Sequence, residues 1–192
     1  MSSRANGQTK PAGFKIKLVE VIRDSDEARL ISDPMRRAIL NLLRRRAMSQ
    51  SELAESLGLT DGTVNYHLSL LRNIGYLTIA RKAVEEHGIM QKFYAPTAYL
   101  YIPDVQSLPK EVARYYYPIN IERIRGVLSA ESAQSTQLRL TNKDVDSLGE
   151  DLARELVKVA EGFGDVEVTQ GEGEGMVNEI YSRALARLIS TR

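Results

Sequence analysis

Apolar residues between positions 49 and 94 follow two different rhythms, and the change from one to the other separates two helices from two strands. Leu53, Ala54 and Leu57 recur at helical spacing; Val64, Leu68, Leu71 and Ile74 do so again. Ser49 and Glu52 have the spacing of a capping box, in which the hydroxyl accepts the amide three residues on and the carboxylate accepts the cap amide. Gly58 can close this first helix in the left-handed conformation. Thr60 is placed to cap the second, Asp61 suits its first turn, and Gly75 ends it. Leu59, in the turn between them, is expected to be buried. Over 77–81 and 89–94 the pattern changes to alternation, which predicts two antiparallel strands around the seven residues KAVEEHG.

Two capped helices, a tight turn and a hairpin make a winged helix-turn-helix. The second helix turns Asp61, Thr63, Asn65, Tyr66, Ser69 and Arg72 away from its apolar stripe. In such units the N-terminal part of that helix reaches base edges. Asn65 carries the paired donor and acceptor that match adenine, and Thr63 offers a hydroxyl to a base or a methyl to thymine. Gly62 removes a side chain where backbone would near a phosphate. Ser49, Gln50 and Thr60, at the helix starts, join these residues as candidate DNA contacts. Arg81, Lys82 and Lys92 on the hairpin are the candidate phosphate contacts. Glu85 and Glu86 at its tip oppose deep insertion into a groove. An ordinary solvated helix face and a hairpin that only packs on the helices are the competing readings. The full constellation, more than either face alone, favours DNA.

Upstream, residues 1–13 are polar and contain Gly7, Pro11 and Gly13, as expected of a disordered tail. A strand is expected over 14–22 and a helix near 26–31. The next helix, 34–45, opens with a proline in its first turn, directs Ile39, Leu40, Leu42 and Leu43 to the core, and ends on Arg44, Arg45 and Arg46. That triplet suits a helix C-terminus and a phosphate equally. After Pro103 the chain becomes acidic and mainly helical, with helices expected over 110–117 and 121–133. Thr141 and Asp144 form a second capping box, opening a helix to about residue 161. Its stripe of Val145, Leu148, Leu152, Leu156 and Val159 matches one of Met176, Val177, Ile180, Ala184, Leu185 and Leu188 in the last helix. Such stripes pack on each other, on a second subunit, or on both. The expected fold is therefore mainly α with a small β-hairpin wing. A winged helix-turn-helix domain over 14–103 is followed by a helical dimerisation and candidate effector region over 104–192.

Charge sharpens this division. The net charge of +1 hides 15 Lys/Arg against 10 Asp/Glu in residues 1–100 and 11 against 15 in residues 101–192. The N-terminal half thus carries the electrostatic footprint of a polyanion binder. The 43% hydrophobic and 27% charged residues are ordinary for a globular chain with a core of its own. No cysteine is present, which excludes disulfides and thiolate metal ligands and fits a reducing cytoplasm. The two histidines, His67 and His87, do not make a metal site, and no cofactor is expected. No apolar run has the length of a membrane span, and the first residues lack an apolar signal core. There is no nucleophile elbow and no paired-histidine motif, so an enzyme is not expected.

The run ISDPMRRAILNLLRRRAMSQSELAESLGLTDGTVNYHLSLLRNIGYL, with the strand ending QKFYAPTA, resembles ArsR-type winged-helix transcriptional regulators. It closely resembles an archaeal group with a helical C-terminal extension that includes a heat-shock repressor. The resemblance covers about residues 20–103. It implies a homodimer that binds double-stranded DNA at a near-palindromic operator, usually as a repressor. On the family pattern Thr63, Asn65, Tyr66 and Ser69 align with positions facing DNA, and His67 with one near the buried side. The metal sensing common in such proteins does not carry over to a chain without cysteine. The same fold can also serve as a protein-interaction module without a DNA target.

Two further features admit more than one reading. Tyr94, Tyr99, Tyr101 and Tyr115 to Tyr117 suit a pocket for an unknown small-molecule effector, a domain junction or a dimer interface. The glycines of VEVTQGEGEGMVNEI resemble a dinucleotide-binding turn, but Glu172 and Glu174 would repel a pyrophosphate and too little chain follows for a βαβ unit. That segment reads as a flexible loop.

Overall fold

The computed structural model describes residues 14–84, 88, 90–132 and 141–190. The tail, Glu85, Glu86, His87 and Ile89 lie outside the described residues. Strand β1 (Lys15–Ile22) leads into helix α1 (Ser25–Ile31), whose start is fixed by the Asp24 carboxylate accepting the Asp26 and Glu27 amides. Asp33 caps α2 (Pro34–Leu43) in the same way. The two-residue β2 (Met48–Ser49) precedes α3 (Gln50–Leu57) and α4 (Asp61–Asn73). Strands β3 (Leu77–Val84), β4 (Met90–Pro96) and β5 (Ala98–Pro103) follow. The C-terminal part comprises α5 (Lys110–Ala113), α6 (Tyr117–Ser132), α7 (Asn142–Glu161), β6 (Glu167–Thr169) and α8 (Glu174–Ser190).

Among the described residues the fold is mainly helical with two small sheets. In the first, β4 lies between β2 and β3 and pairs antiparallel with both, bringing Met48 opposite Tyr94 and Lys82 opposite Lys92. This is the expected wing with longer arms: β3 continues three residues past Arg81, so Lys82, Ala83 and Val84 belong to the strand. An irregularity between Ile79 and Arg81 shifts the register and accommodates the extra residue. The second sheet was not foreseen. Strand β1 lies at its centre, parallel to β5 and antiparallel to β6, with Lys17 opposite Ala98 and Ile16 opposite Val168.

Two apolar cores result. One joins α1, α2, α3 and α4 to Tyr76, Leu77, Tyr94, Val112 and Tyr116. The other joins α7 and α8 to Ile16, Leu18 and Val19 of β1 and to Tyr99 and Ile102 of β5. Leu148, Leu152, Leu156 and Val159 of α7 and Val177, Ile180, Ala184 and Leu188 of α8 are buried there, within the chain. Packing thus crosses the sequence boundary at 103: two strands from the 14–103 segment help build the C-terminal core.

Other departures from expectation have local causes. Leu59 is half-buried, packed on the edge of the first core. The helix expected over 110–117 stops after one turn and restarts at Tyr117, because Pro118 has no amide to donate and fits only in a first turn. The hydroxyl of Tyr116, at that break, donates to the Ala28 carbonyl. Residues 170–173 are docked, in contrast to the flexible loop expected: the Gln170 amide donates to the Phe14 carbonyl at 2.8 Å and the Gly171 amide to that of Arg44 at 2.9 Å. The Gln170 side chain adds a bond to the Leu43 carbonyl. The glycines here permit close approach. A Cβ on Gly171, at φ +88, would lie 2.6 Å from the Arg45 carbonyl oxygen, and one on Gly173 would lie 2.8 Å from the Tyr99 ring. Among the described residues no helix is long and apolar enough to cross a membrane.

Candidate nucleic-acid interface

The capping box of α3 forms as its spacing predicts. The Glu52 amide donates to Ser49 Oγ at 3.2 Å, and the Ser49 amide to Glu52 Oε2 at 2.7 Å. Burial pushes the Glu52 carboxyl upward, but the Ser49 amide and the Arg46 guanidinium, 2.8 Å away, outweigh it and hold the group below the usual carboxylate range. Gly58 takes φ +64 at the end of the helix. The chain then turns so that Gln50 Nε2 donates to the Asp61 carbonyl at 3.1 Å, fixing the start of α3 against the start of α4.

In α4, the Thr63 amide donates to Thr60 Oγ1 at 3.2 Å, and the two hydroxyls lie 2.9 Å apart. Val64, Leu68 and Leu71 are fully buried, which rotates the opposite face outward. At 100° per residue that outward face is centred on Tyr66, with Gly62, Ser69 and Asn73 beside it and Thr63 and Asn65 on its flanks. Tyr66 is 60% exposed. Asn73 was missed in the sequence because it sits beside the terminating Gly75, but its exposed amide shares the outward row. A Cβ on Gly62 would meet nothing nearer than Thr60 Oγ1 at 4.0 Å, so packing within the chain does not require glycine there. His67 is half-buried, edge-on to Tyr66 with ring centroids 5.3 Å apart, and its buried Nδ1 has no hydrogen-bond partner.

Ser49 needs correction as a DNA contact. It is 0% exposed, paired in the sheet opposite Phe93, with its hydroxyl committed to the cap. Gln50 and Thr60 remain accessible, though each already holds the helix pair together. On the wing, Lys82 and Lys92 are direct cross-strand partners and share one face. Arg81 points to the other face, where its guanidinium lies 3.3 Å from the centroid of the Phe93 ring. The three wing cations therefore form a lysine pair and a separate, stacked arginine. Among the described residues no carboxylate forms an ion pair with Arg72, Arg81, Lys82 or Lys92, whereas Arg44 and Arg46 pair with Glu174 and Glu52. The arginine triplet ending α2 is thus largely neutralised. Among the described residues no cluster of three or more histidine or acidic side chains could hold a metal.

Comparison with known proteins agrees with this geometry at the level of the helix-turn-helix. Residues 33–78, from the cap of α2 into β3, match the family described as bacterial regulatory protein, arsR family. That match supports a DNA-binding transcription regulator. Among solved structures, the chain is similar to Bacillus subtilis PadR in complex with operator DNA, at 16% identity and a TM-score of 0.32, over 68% of this chain and 97% of that one. No curated protein matches the chain.

Proposed function

We propose that this protein is a sequence-specific transcriptional regulator that binds double-stranded DNA as a homodimer, as a repressor at a near-palindromic operator. The observation that carries the reading is the helix pair itself. Its cap, turn and Gln50 bridge present α4 with a short-chain polar face, beside a wing whose lysines have no ion-pair partner among the described residues. Asn65, Thr63, Ser69, Tyr66 and Asn73 are assigned to base edges, Lys82, Lys92 and Arg72 to phosphates. Residues 14–103 supply the DNA-reading part and residues 104–192 the dimer contact and effector region. Two α4 helices would then enter successive major grooves about 34 Å apart. Kinship with the archaeal heat-shock repressor group belongs to this same proposal.

Selection of sites from random duplex DNA with the purified full-length chain, at two salt concentrations, tests it. A two-fold-symmetric motif whose affinity falls with salt is the expected result. Negligible binding at low salt would sink the proposal and favour a protein-interaction module. That second reading has its own motive in the apolar pair Val84 and Met90, which face each other across the wing near its tip and are 68% and 57% exposed.

A further inference from the structure

Between α2, β5, α6, α7 and α8 lies a cavity of about 590 Å³, within the range that holds a small organic molecule. Its charged groups are mostly cationic, with asparagine and tyrosine side chains between them. Arg37, Asn41 and Arg44 reach it from one face of α2, at i, i+4 and i+7. Asn120 and Arg123 reach it from α6, next to Tyr116. Among the described residues Glu174 is the only carboxylate lining it, and it is already engaged by Arg44 at 3.0 Å. Two guanidiniums have no carboxylate partner among the described residues: that of Arg37, half-buried and without a side-chain hydrogen bond there, and that of the exposed Arg123, which donates to Asn120 Oδ1 at 3.1 Å and lies 4.9 Å from the Tyr181 ring centroid.

Two of these donors lack an acceptor among the described residues, the Arg44 Nε and the Arg37 guanidinium. Asn120 is 6% exposed, one of two buried polar residues among those described, and its carbonyl accepts from Arg123. The buried Nε of Arg44 has no partner. Arg37 is a half-buried cation in partly apolar surroundings with no ion pair among the described residues. Buried donors and uncompensated cations are costly unless an acceptor reaches them. An apolar part of the wall is supplied by Leu152 and Leu156 of α7, Val177 and Leu185 of α8, and Ile102 of β5.

We infer that this cavity is a binding site for an amphipathic organic acid: one carboxylate held by Arg37, Asn120 and Arg123, and a hydrophobic body against α7 and α8. Planar guanidiniums match a carboxylate with paired hydrogen bonds. A free inorganic anion would leave the apolar wall wet, and a neutral apolar molecule would leave the donors unmet. The site stands independently of any DNA target.

Calorimetric titration of the full-length chain with octanoate, decanoate and 2-naphthoate, against 1-octanol and inorganic phosphate, tests it. At least one carboxylate is expected to bind once per chain, with octanol and phosphate weaker by about tenfold or more. Arg37→Met and Arg123→Met should each weaken that binding by about tenfold while the unliganded melting temperature is retained. Failure of all three carboxylates, equal binding of octanol or phosphate, or indifference to both substitutions would overturn the inference. So would a shift in sedimentation on Val127→Glu at the cavity rim combined with no carboxylate binding, which would make the cavity a contact between two copies.

Discussion

The Tyr76 hydroxyl donates to Glu27 Oε2 at 2.7 Å, joining the residue that follows α4 and Gly75 to α1. The ring stacks on Tyr101 with centroids 4.7 Å apart, so the exit from α4 is held from two sides. Replacing Tyr76 with Phe keeps the stack and leaves the half-buried carboxylate without its donor. The expected loss is about 1–2 kcal/mol, read from chemical denaturation.

The same contact sets an alkaline limit. Burial, then the Glu27 carboxylate, push the Tyr76 phenol well above its ordinary value of 10; burial also raises Tyr101 and Tyr116. Above about pH 10 an unfolded chain releases these protons while the native chain keeps them, so stability falls as pH rises. Below that pH both states are protonated and the groups add no slope. Denaturation midpoints measured from pH 8 to 11 should fall only above about pH 10. The fall should be shallower in the Tyr76→Phe protein.

Gly62 separates folding from DNA binding. Among the described residues nothing crowds a Cβ there and the backbone is helical, so Gly62→Ala should leave stability unchanged or raise it by about 0.5–1 kcal/mol. If α4 approaches a duplex as proposed, the same methyl should weaken operator binding. A variant that melts higher and binds as before would detach Gly62 from the DNA surface.

Asn65 and Lys82 should fail differently. Asn65→Ala is expected to relax preference at one base pair by about 1–3 kcal/mol. Lys82→Ala should weaken all duplexes alike and reduce the slope of log affinity against log salt by about 0.9. Competition binding with single-base operator variants at several salt concentrations distinguishes the two patterns. An unchanged preferred sequence in Asn65→Ala would remove that residue from the reading face.

Gly171 is the structural counterpart of Gly62. Its φ of +88 and the 2.6 Å approach to the Arg45 carbonyl leave no room for a side chain. Gly171→Ala should cost about 1–3 kcal/mol from backbone strain alone, visible as a lower melting temperature. A neutral outcome would mean that the docked 170–173 turn is not held as described.

What the sequence revealed follows from how locally each feature is determined. Ser49 with Glu52, Thr60, Gly58, and Thr141 with Asp144 act within one helical turn, and each forms as its spacing predicts. The stripes of α4, α7 and α8 were readable for the same reason. The parallel pairing of β1 with β5 was not, because it joins Lys17 to Ala98 across the whole winged unit and no local rule selects that partner. Strand β6 has three residues, too few for an alternation to register. At the candidate site, the outward placement of Asn65 and Tyr66 was legible from helical phase. The burial of Ser49 was not, since it depends on β4 pairing beside it. The stacking of Arg81 on Phe93 follows from the irregularity after Ile79, which has no sequence signature of its own.

The central position of β1 bears on how the chain can be cut. A fragment ending at Pro103 would contain every residue assigned to DNA, yet it would lose α7, α8 and β6 together. Ile16, Leu18 and Val19 would be stripped of their cover, and the strand would gain a free edge of unpaired amides and carbonyls. Such an edge invites pairing with other molecules. The isolated winged unit is therefore expected to aggregate, and the natural boundaries of the folding unit enclose both the N-terminal strand and the C-terminal helix.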